Sequence, residues 1–561
     1  MRRDLFYVAA LALAMQLGSC VNTPQFGKSP VEKVVRAMTI EEKANLLMGE
    51  TEGLVQTYAI PRLGIPSVSM VSTGIPVNDR LLSQTWNPEL VQEMGTDVAC
   101  EVLSKGYDCI LLPSFSSSEM PFLSGMLTAS FASGIRNAGT GTALALDAGL
   151  ENTGMDIVAK EQQHWAVVVN DTIVPSEWEF EGVVVSLCSS SDEDLQPGID
   201  ILIPGMQPAR DRLIMSLEKG TVSVSEVNKR IIRILAMVEK SIQKPVVQDY
   251  HANTVLYNTV ESEGMVLLKN DGVLPLSPDV RKVALYGVSS YNTVMKGGTD
   301  GISIEKGLES LGYKIDPAVA SQYRQYASSN SGHVQPESLA RQPFRYRADA
   351  IVDDVAIITI GRDNADLNLV SSEQELLKDV CESFHAKGKK VVLVLNTLAP
   401  VRSGNWTAYP DAILLAGIPG TDAGTIITAI LSGRVNPSGK LIDADTSFPF
   451  GFGLSYTSFQ YSNASAVHEN GKITMSVTVT NTGKALGKDI VQVYAEPSSK
   501  GRPAQHRELR TFAKTKLLQP GESQTFSFDL YDYYLPSATG ELTIYFSACS
   551  DDLSCSVPVT L

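Results

Sequence analysis

The stretch Pro175–Gly205, PSEWEFEGVVVSLCSSSDEDLQPGIDILIPG, holds the residues of this chain best placed for chemistry. Val183, Val184 and Val185 form an apolar, β-branched run bounded by Gly182 and by Ser189–Ser191 with acidic residues after them, the pattern of a buried parallel strand running into a loop. An α/β barrel places its reacting groups at the carboxyl end of such a strand. Here that end is Ser186, Leu187 and Cys188, with the carboxylates Asp192 and Asp194 a few residues on. A further pair, Asp363 and Asp366, follows the apolar run Ile357–Ile360. Carboxylates in such places can act as nucleophiles or as general acids and bases. Their plainer role is to solvate an acidic loop or cap a helix.

The elements that would position these groups follow from periodicity. VEKVVRAMTIEEKANLLMG has apolar residues at helical spacing, with Thr39 and Glu42 in capping-box register. Val224, Val227, Ile231, Ile234 and Val238 share one face of a helix over Val222–Ser241. Four apolar strands, Val283–Tyr286, Val355–Ile360, Val391–Leu395 and Ala412–Leu415, are separated by helical segments, notably Ser371–Ala386. That alternation predicts a doubly wound, mostly parallel sheet. Met295–Ser303, MKGGTDGIS, lacks the G-K-[ST] ending of a phosphate loop and reads as a plain turn. Towards the C-terminus, KITMSVTVTNTG, DIVQVYAEP and TFSFDL alternate apolar and polar residues as strands of a β-sandwich do.

With 561 residues the chain exceeds one core and implies roughly three or four domains. Its formal charge of −16 argues against nucleic acid or an anionic membrane surface as partner. MRRDLFYVAALALAMQLGSC has a basic start and an apolar run too short to span a bilayer, as an export signal does. Its Leu17-Gly18-Ser19-Cys20 resembles a bacterial lipobox, so Cys20 is expected to carry a lipid anchor and to hold an exported protein at the membrane, facing the periplasm or the cell surface. An ordinary cleaved signal is the alternative. Cys549 and Cys555 flank SDDLS and could bridge two strands, whereas the other cysteines lie singly in apolar surroundings. The six histidines show no metal-ligand spacing.

Beyond these patterns, the chain resembles glycoside hydrolase family 3, the β-glucosidases and β-xylosidases. Trp178, Phe180, Gly182, Val185, Ser186, Gly198, Asp200, Pro204 and Gly205 fit the family's W-G-F-x-G-x-V-x-S-D-W, A-G-x-D and M-P-G landmarks. Ile60–Val68, Thr85–Pro88, Glu261–Leu276, Leu415–Leu441 and Phe448–Asn463 match others, in order. With the expected export signal over 1–20 set aside, the resemblance implies a reduced (β/α) barrel over 30–244, an α/β sandwich with a mostly parallel sheet over 250–441, and a fibronectin type III-like β-sandwich over 448–561. About 215 residues for the barrel fall short of the usual ~250, so a distorted barrel is expected. The implied partner is a β-linked oligosaccharide, and no cofactor is implied because the family's chemistry runs on two carboxylates. The sequence does not give an oligomeric state.

The departures fall on the chemistry. The family's nucleophilic aspartate corresponds to Leu187. Met70–Gly74 lacks the D-G-P aspartate, Met120 replaces an aspartate, Thr142–Asp147 lacks the family's lysine and histidine, and the acid-bearing loop is missing after Gly361. Three readings follow: a scaffold that no longer hydrolyses, an active β-glucosidase or β-xylosidase using Asp192, Asp194, Asp363 or Asp366 instead, or a non-catalytic carbohydrate-binding or assembly module. In-frame joins in a decayed gene or an altered sequence would also produce such losses. Trp86, Trp165, Trp178 and Trp406 could offer sugar a stacking face, but their apolar surroundings favour core.

Overall fold

The protein's structure, a computed structural model, describes every residue except 1–22, 51–54, 73, 113–120, 148–157, 159–163, 171–172, 188–194, 299, 330–351, 363–367, 399–401, 403, 445–446, 498–506 and 533–539. The first sheet takes its strands in sequence order: β1 (Val55–Gln56), β2 (Ser69–Val71), β3 (Cys109–Leu111), β4 (Gly141–Asp147), β5 (Ala166–Asn170), β6 (Val183–Leu187) and β7 (Ile201–Ile203). β1 is antiparallel to β2 and the rest are parallel. A three-residue segment closes the ring: Met48 bridges Leu202 in parallel and Glu50 bridges Gln56 in antiparallel fashion. The shortened barrel therefore closes, with a reversed strand at the seam.

Local chemistry explains the elements. Thr39 Oγ1 accepts from Glu42 N at 3.2 Å and Glu42 Oε2 from Thr39 N at 2.9 Å, the expected capping box of helix Ile40–Leu47. The helix expected over Val222–Ser241 spans Val224–Ile242 and buries Val227, Ile231, Ile234 and Val238, but Val224, at its first position, is exposed. Val183 and Val185 are buried on the face they share with Ile201 and Ile203. Val184 points the other way, to the outer face that helices Pro88–Ser104 and Pro121–Asn137 cover farther round the barrel. Those two helices lie in backbone contact: a Cβ on Gly134 would stand 1.9 Å from the Gln92 carbonyl oxygen, and one on Gly95 2.2 Å from that of Phe131.

The second sheet contains β8 (Val266–Asn270), β9 (Lys282–Tyr286), β10 (Lys314–Ile315), β11 (Val355–Arg362), β12 (Lys390–Thr397) and β13 (Ala412–Leu415), in the order β10-β9-β11-β12-β13-β8. All pairs are parallel except β13 with the edge strand β8. The third unit is a sandwich. β14 (Phe459–Glu469), β15 (Lys472–Asn481) and β18 (Ser523–Tyr531) form one sheet; β17 (Glu508–Lys514), β16 (Ile490–Pro497), β19 (Glu541–Ser547) and β20 (Ser556–Thr560) form the other. Cys549 and Cys555 are free thiols, so the bridge that their spacing allowed is not formed.

The three units meet at Trp86, which is fully buried with its ring centroid 5.2 Å from those of Phe450 and Phe512. Beside it, Glu263 on helix Thr254–Gly264 takes Lys514 at 2.7 Å, Lys488, and Asn87 Nδ2 at 3.3 Å. Lys514 Nζ also donates to Thr85 O at 2.9 Å. Trp178 and Trp406 are buried as well, and Trp165 is half-buried, which makes packing the main role of the tryptophans.

Candidate active site

The carboxyl ends of the parallel barrel strands are Val71, Leu111, Asp147, Asn170, Leu187 and Ile203. Register sets Asp147 opposite Asn170, Val169 opposite Ser186, and Leu187 opposite Ile203. Leu187 is 42% exposed. An isobutyl group there offers neither an attacking lone pair nor a proton acceptor. Asp192, Asp194, Asp363, Asp366, Met120 and Cys20 lie outside the described residues.

One carboxylate at this end was missed by sequence reasoning. The closing segment runs parallel to β7, so Glu50 follows Met48 towards the carboxyl rim, where Gln56 Nε2 donates to its Oε2 at 3.3 Å. Only the ring closure reveals it, because nothing in Met48-Gly49-Glu50 marks a strand.

Other buried polar groups stand at the opposite face. Asp108, just before β3, accepts from Ser69 N and Oγ at 2.8 and 2.7 Å and pairs with Lys244. Asp200, just before β7 and wholly buried, accepts from Val184 N at 2.9 Å and from Arg233. His164, before β5, bonds Thr142 Oγ1 at 2.8 Å and Val158 O at 3.0 Å, and burial lowers its pKa to about 4, so it is neutral at pH 7. Groups at the amino ends of barrel strands stabilise the fold rather than meet substrate.

The carboxyl edge of the second sheet leans on the barrel rim. Lys296, in the turn after β9, donates to the carbonyls of Ile75 and Val77, the latter at 2.6 Å. These carbonyls follow the Met70–Gly74 segment in which the resemblance would place a sugar-holding aspartate. Nearby, Glu261 accepts from Gly420 N at 2.8 Å; burial raises its pKa to about 7, Asp422 adds to the rise, and the Gly420 N–H and Lys296 oppose it. At the end of β11, Arg362 pairs with buried Glu373 and donates to Asn368 O at 2.8 Å. Glu373 also accepts from Val370 N at 3.0 Å, so among the described residues it is Glu373 that serves the start of helix Ser371–His385.

Glu261 gives a stability test. Its folded pKa lies above the unfolded value, so the fold binds the extra proton and loses stability as pH rises from about 4.5 to about 7. Glu261→Gln, which keeps the acceptor for Gly420 without the charge, should raise stability at pH 8 by roughly 2 kcal/mol and flatten that slope. Urea unfolding of both proteins at pH 5 and pH 8 measures it, and an unchanged slope would refute the assignment.

Comparison with known proteins agrees with this geometry. The model for the glycosyl hydrolase family 3 C-terminal domain matches residues 265–456, and that for a fibronectin type III-like domain matches 489–539. The thermostable β-glucosidase B of Acetivibrio thermocellus is 26% identical, over 89% of this chain and 82% of that protein. An exo-α-(1→6)-L-arabinopyranosidase of Bifidobacterium longum is 23% identical over 94% and 88%. The solved β-glucosidase 3B from Thermotoga neapolitana in complex with α-D-glucose superposes with a TM-score of 0.81 at 24% identity, covering 94% of this chain and 98% of that one. The alignment with the A. thermocellus protein runs over 650 residues, more than the 561 of this whole chain. Segments of that relative therefore have no counterpart here.

Proposed function

Because the chain belongs to glycoside hydrolase family 3, we propose that it is an exported, β-glucosidase-like scaffold for β-linked glycosides whose own retaining hydrolysis is lost. The observation that carries this reading is Leu187 at the end of β6, exposed on the rim where the family resemblance calls for a carboxylate. Retaining chemistry needs a carboxylate nucleophile and a carboxylic acid about 5 Å from it. Without the first, no glycosyl-enzyme bond forms; without the acid-bearing loop after Gly361, the leaving oxygen departs unprotonated. Export and a lipid anchor at Cys20 complete the proposal on the strength of the leader MRRDLFYVAALALAMQLGSC. The competing reading keeps activity by using Asp192 or Asp194, which follow β6 within a few residues.

The test is hydrolysis of chromogenic β-glucoside and β-xyloside by the chain lacking residues 1–20, beside Asp192→Asn and Asp194→Asn. The expected result is a folded protein whose turnover lies about 10⁴-fold or more below that of an active β-glucosidase assayed in parallel. Turnover abolished by either substitution would replace this reading with a relocated nucleophile. For the anchor, incorporation of labelled fatty acid should occur in the full chain and vanish in Cys20→Ala.

A further inference from the structure

A (β/α) barrel covers the outside of each strand with a helix. Between Asn170 and Val183 the crossover from β5 to β6 is too short for that, and its described part holds one 3₁₀ turn, Ser176–Trp178. Outside β6 this leaves a cavity of about 600 Å³, lined by Pro175, Glu179, Phe180, Glu181, Val184 and Arg233. Its volume falls within the ~300–1,000 Å³ of small-ligand sites.

We infer that this outer-wall cavity binds a neutral polyhydroxylated ligand, a short oligosaccharide. Phe180, Pro175 and half-buried Val184 supply an apolar side for the C–H face of a sugar ring. The Phe180 ring is held against the backbone: a Cβ on Gly182 would lie 2.3 Å from its Cζ. Polar groups share the lining. Asp200 receives Arg233 Nε at 3.1 Å on each oxygen, which fixes the guanidinium while its Nη1 takes no part in that pair. Glu179 and Glu181 of the same lining are exposed and form no ion pair among the described residues. Glu179 has φ 46°, a left-handed conformation costly for a residue with a side chain.

Charge narrows the ligand class. Asp200 pairs with Arg233 and also interacts with Arg230, so with Glu179 and Glu181 the groups around the opening keep a net negative charge that disfavours anions. Carboxylates that accept and a guanidinium that donates suit vicinal hydroxyls, which do both. Taking a β-linked sugar as the probe rests on the family-level reading above; the polyol chemistry does not.

Calorimetric titration of the chain lacking residues 1–20 with cellobiose and with xylobiose tests the inference. The variants are Phe180→Ala, the surface pair Glu179→Gln/Glu181→Gln, and Leu187→Trp, which fills the barrel rim instead. Binding should weaken about 10-fold in each outer-wall variant, stay unchanged in Leu187→Trp, and persist up to about 0.5 M salt. No binding, binding indifferent to both outer-wall variants, or binding abolished by Leu187→Trp would overturn it. So would a salt-sensitive preference for spermidine over the disaccharides. Turnover of chromogenic glycosides would end the lost-catalysis reading and leave this one standing, whereas absent disaccharide binding would do the reverse.

Discussion

Glu263→Ala should cost the protein about 3–5 kcal/mol, the expected price of breaking a buried ion pair from one side. The Glu263 side chain is 11% exposed and that of Lys514 beside it 3%, so truncating Glu263 strands an ammonium away from water. Lys488, which is more exposed, can turn to solvent. The pair also sits where the three units meet, and its loss should loosen the sandwich from the barrel. Equilibrium unfolding in urea measures the cost. A companion Glu263→Leu/Lys514→Met variant should recover much of it, because the one charge left without its partner, Lys488, can reach solvent. A single-variant loss below about 1 kcal/mol would show that the junction does not depend on this carboxylate. The same group gives an acid limit. Burial works against its charge, but Lys514 and Lys488 outweigh that and hold its pKa at about 2. Its stabilisation is complete above the unfolded value near 4.5 and disappears as pH falls towards 2, a window in which about 3 kcal/mol should be lost.

The second large effect lies on the barrel's outer helices. Gly134→Ala would set a methyl group 1.9 Å from the Gln92 carbonyl oxygen, and Gly95→Ala would meet the Phe131 carbonyl at 2.2 Å. Neither obstacle is a flexible side chain. Helices Pro88–Ser104 and Pro121–Asn137 would have to separate, disturbing Leu123, Leu127 and Phe131, which are buried between barrel and sandwich. Gly134→Ala should therefore cost about 3 kcal/mol or more, beyond the usual range for overpacking and against the gain in helix propensity. Thermal unfolding of Gly134→Ala beside Ser133→Gly, a propensity control at a half-buried position of the same helix, separates the two contributions. Equal losses in both would show that the close approach carries no special weight.

How legible these features were in the sequence depended on whether the signal was local. The strands read as Val283–Tyr286, Val355–Ile360, Val391–Leu395 and Ala412–Leu415 appear as β9, β11, β12 and β13 with small extensions, because buried β-branched runs declare themselves. The edge strands β8 and β10 were not read as strands: one continues directly from a helix and the other has two residues. Leu187 was legible because a landmark surrounds it. Glu50 was not, since its placement depends on a bridge to β1 made by a segment without strand pattern. Glu261 and Glu263 stand two apart in a motif that reads as scaffold. Their opposite titration, one towards 7 and the other towards 2, comes from neighbours far along the chain: Gly420 and Asp422 for the first, Lys488 and Lys514 for the second. The outer-wall cavity left no positive mark, because it is produced by a helix that the crossover is too short to form.

The closure of the barrel also bears on how the protein is made. Met48 cannot pair until Leu202 exists, so the ring joins chain ends separated by roughly 150 residues, a high contact order that slows folding. In the finished sheet β6 pairs on one side with β7, so that edge has no partner in a chain that lacks β7. The short seam at Met48–Glu50 is therefore the contact that completes the barrel.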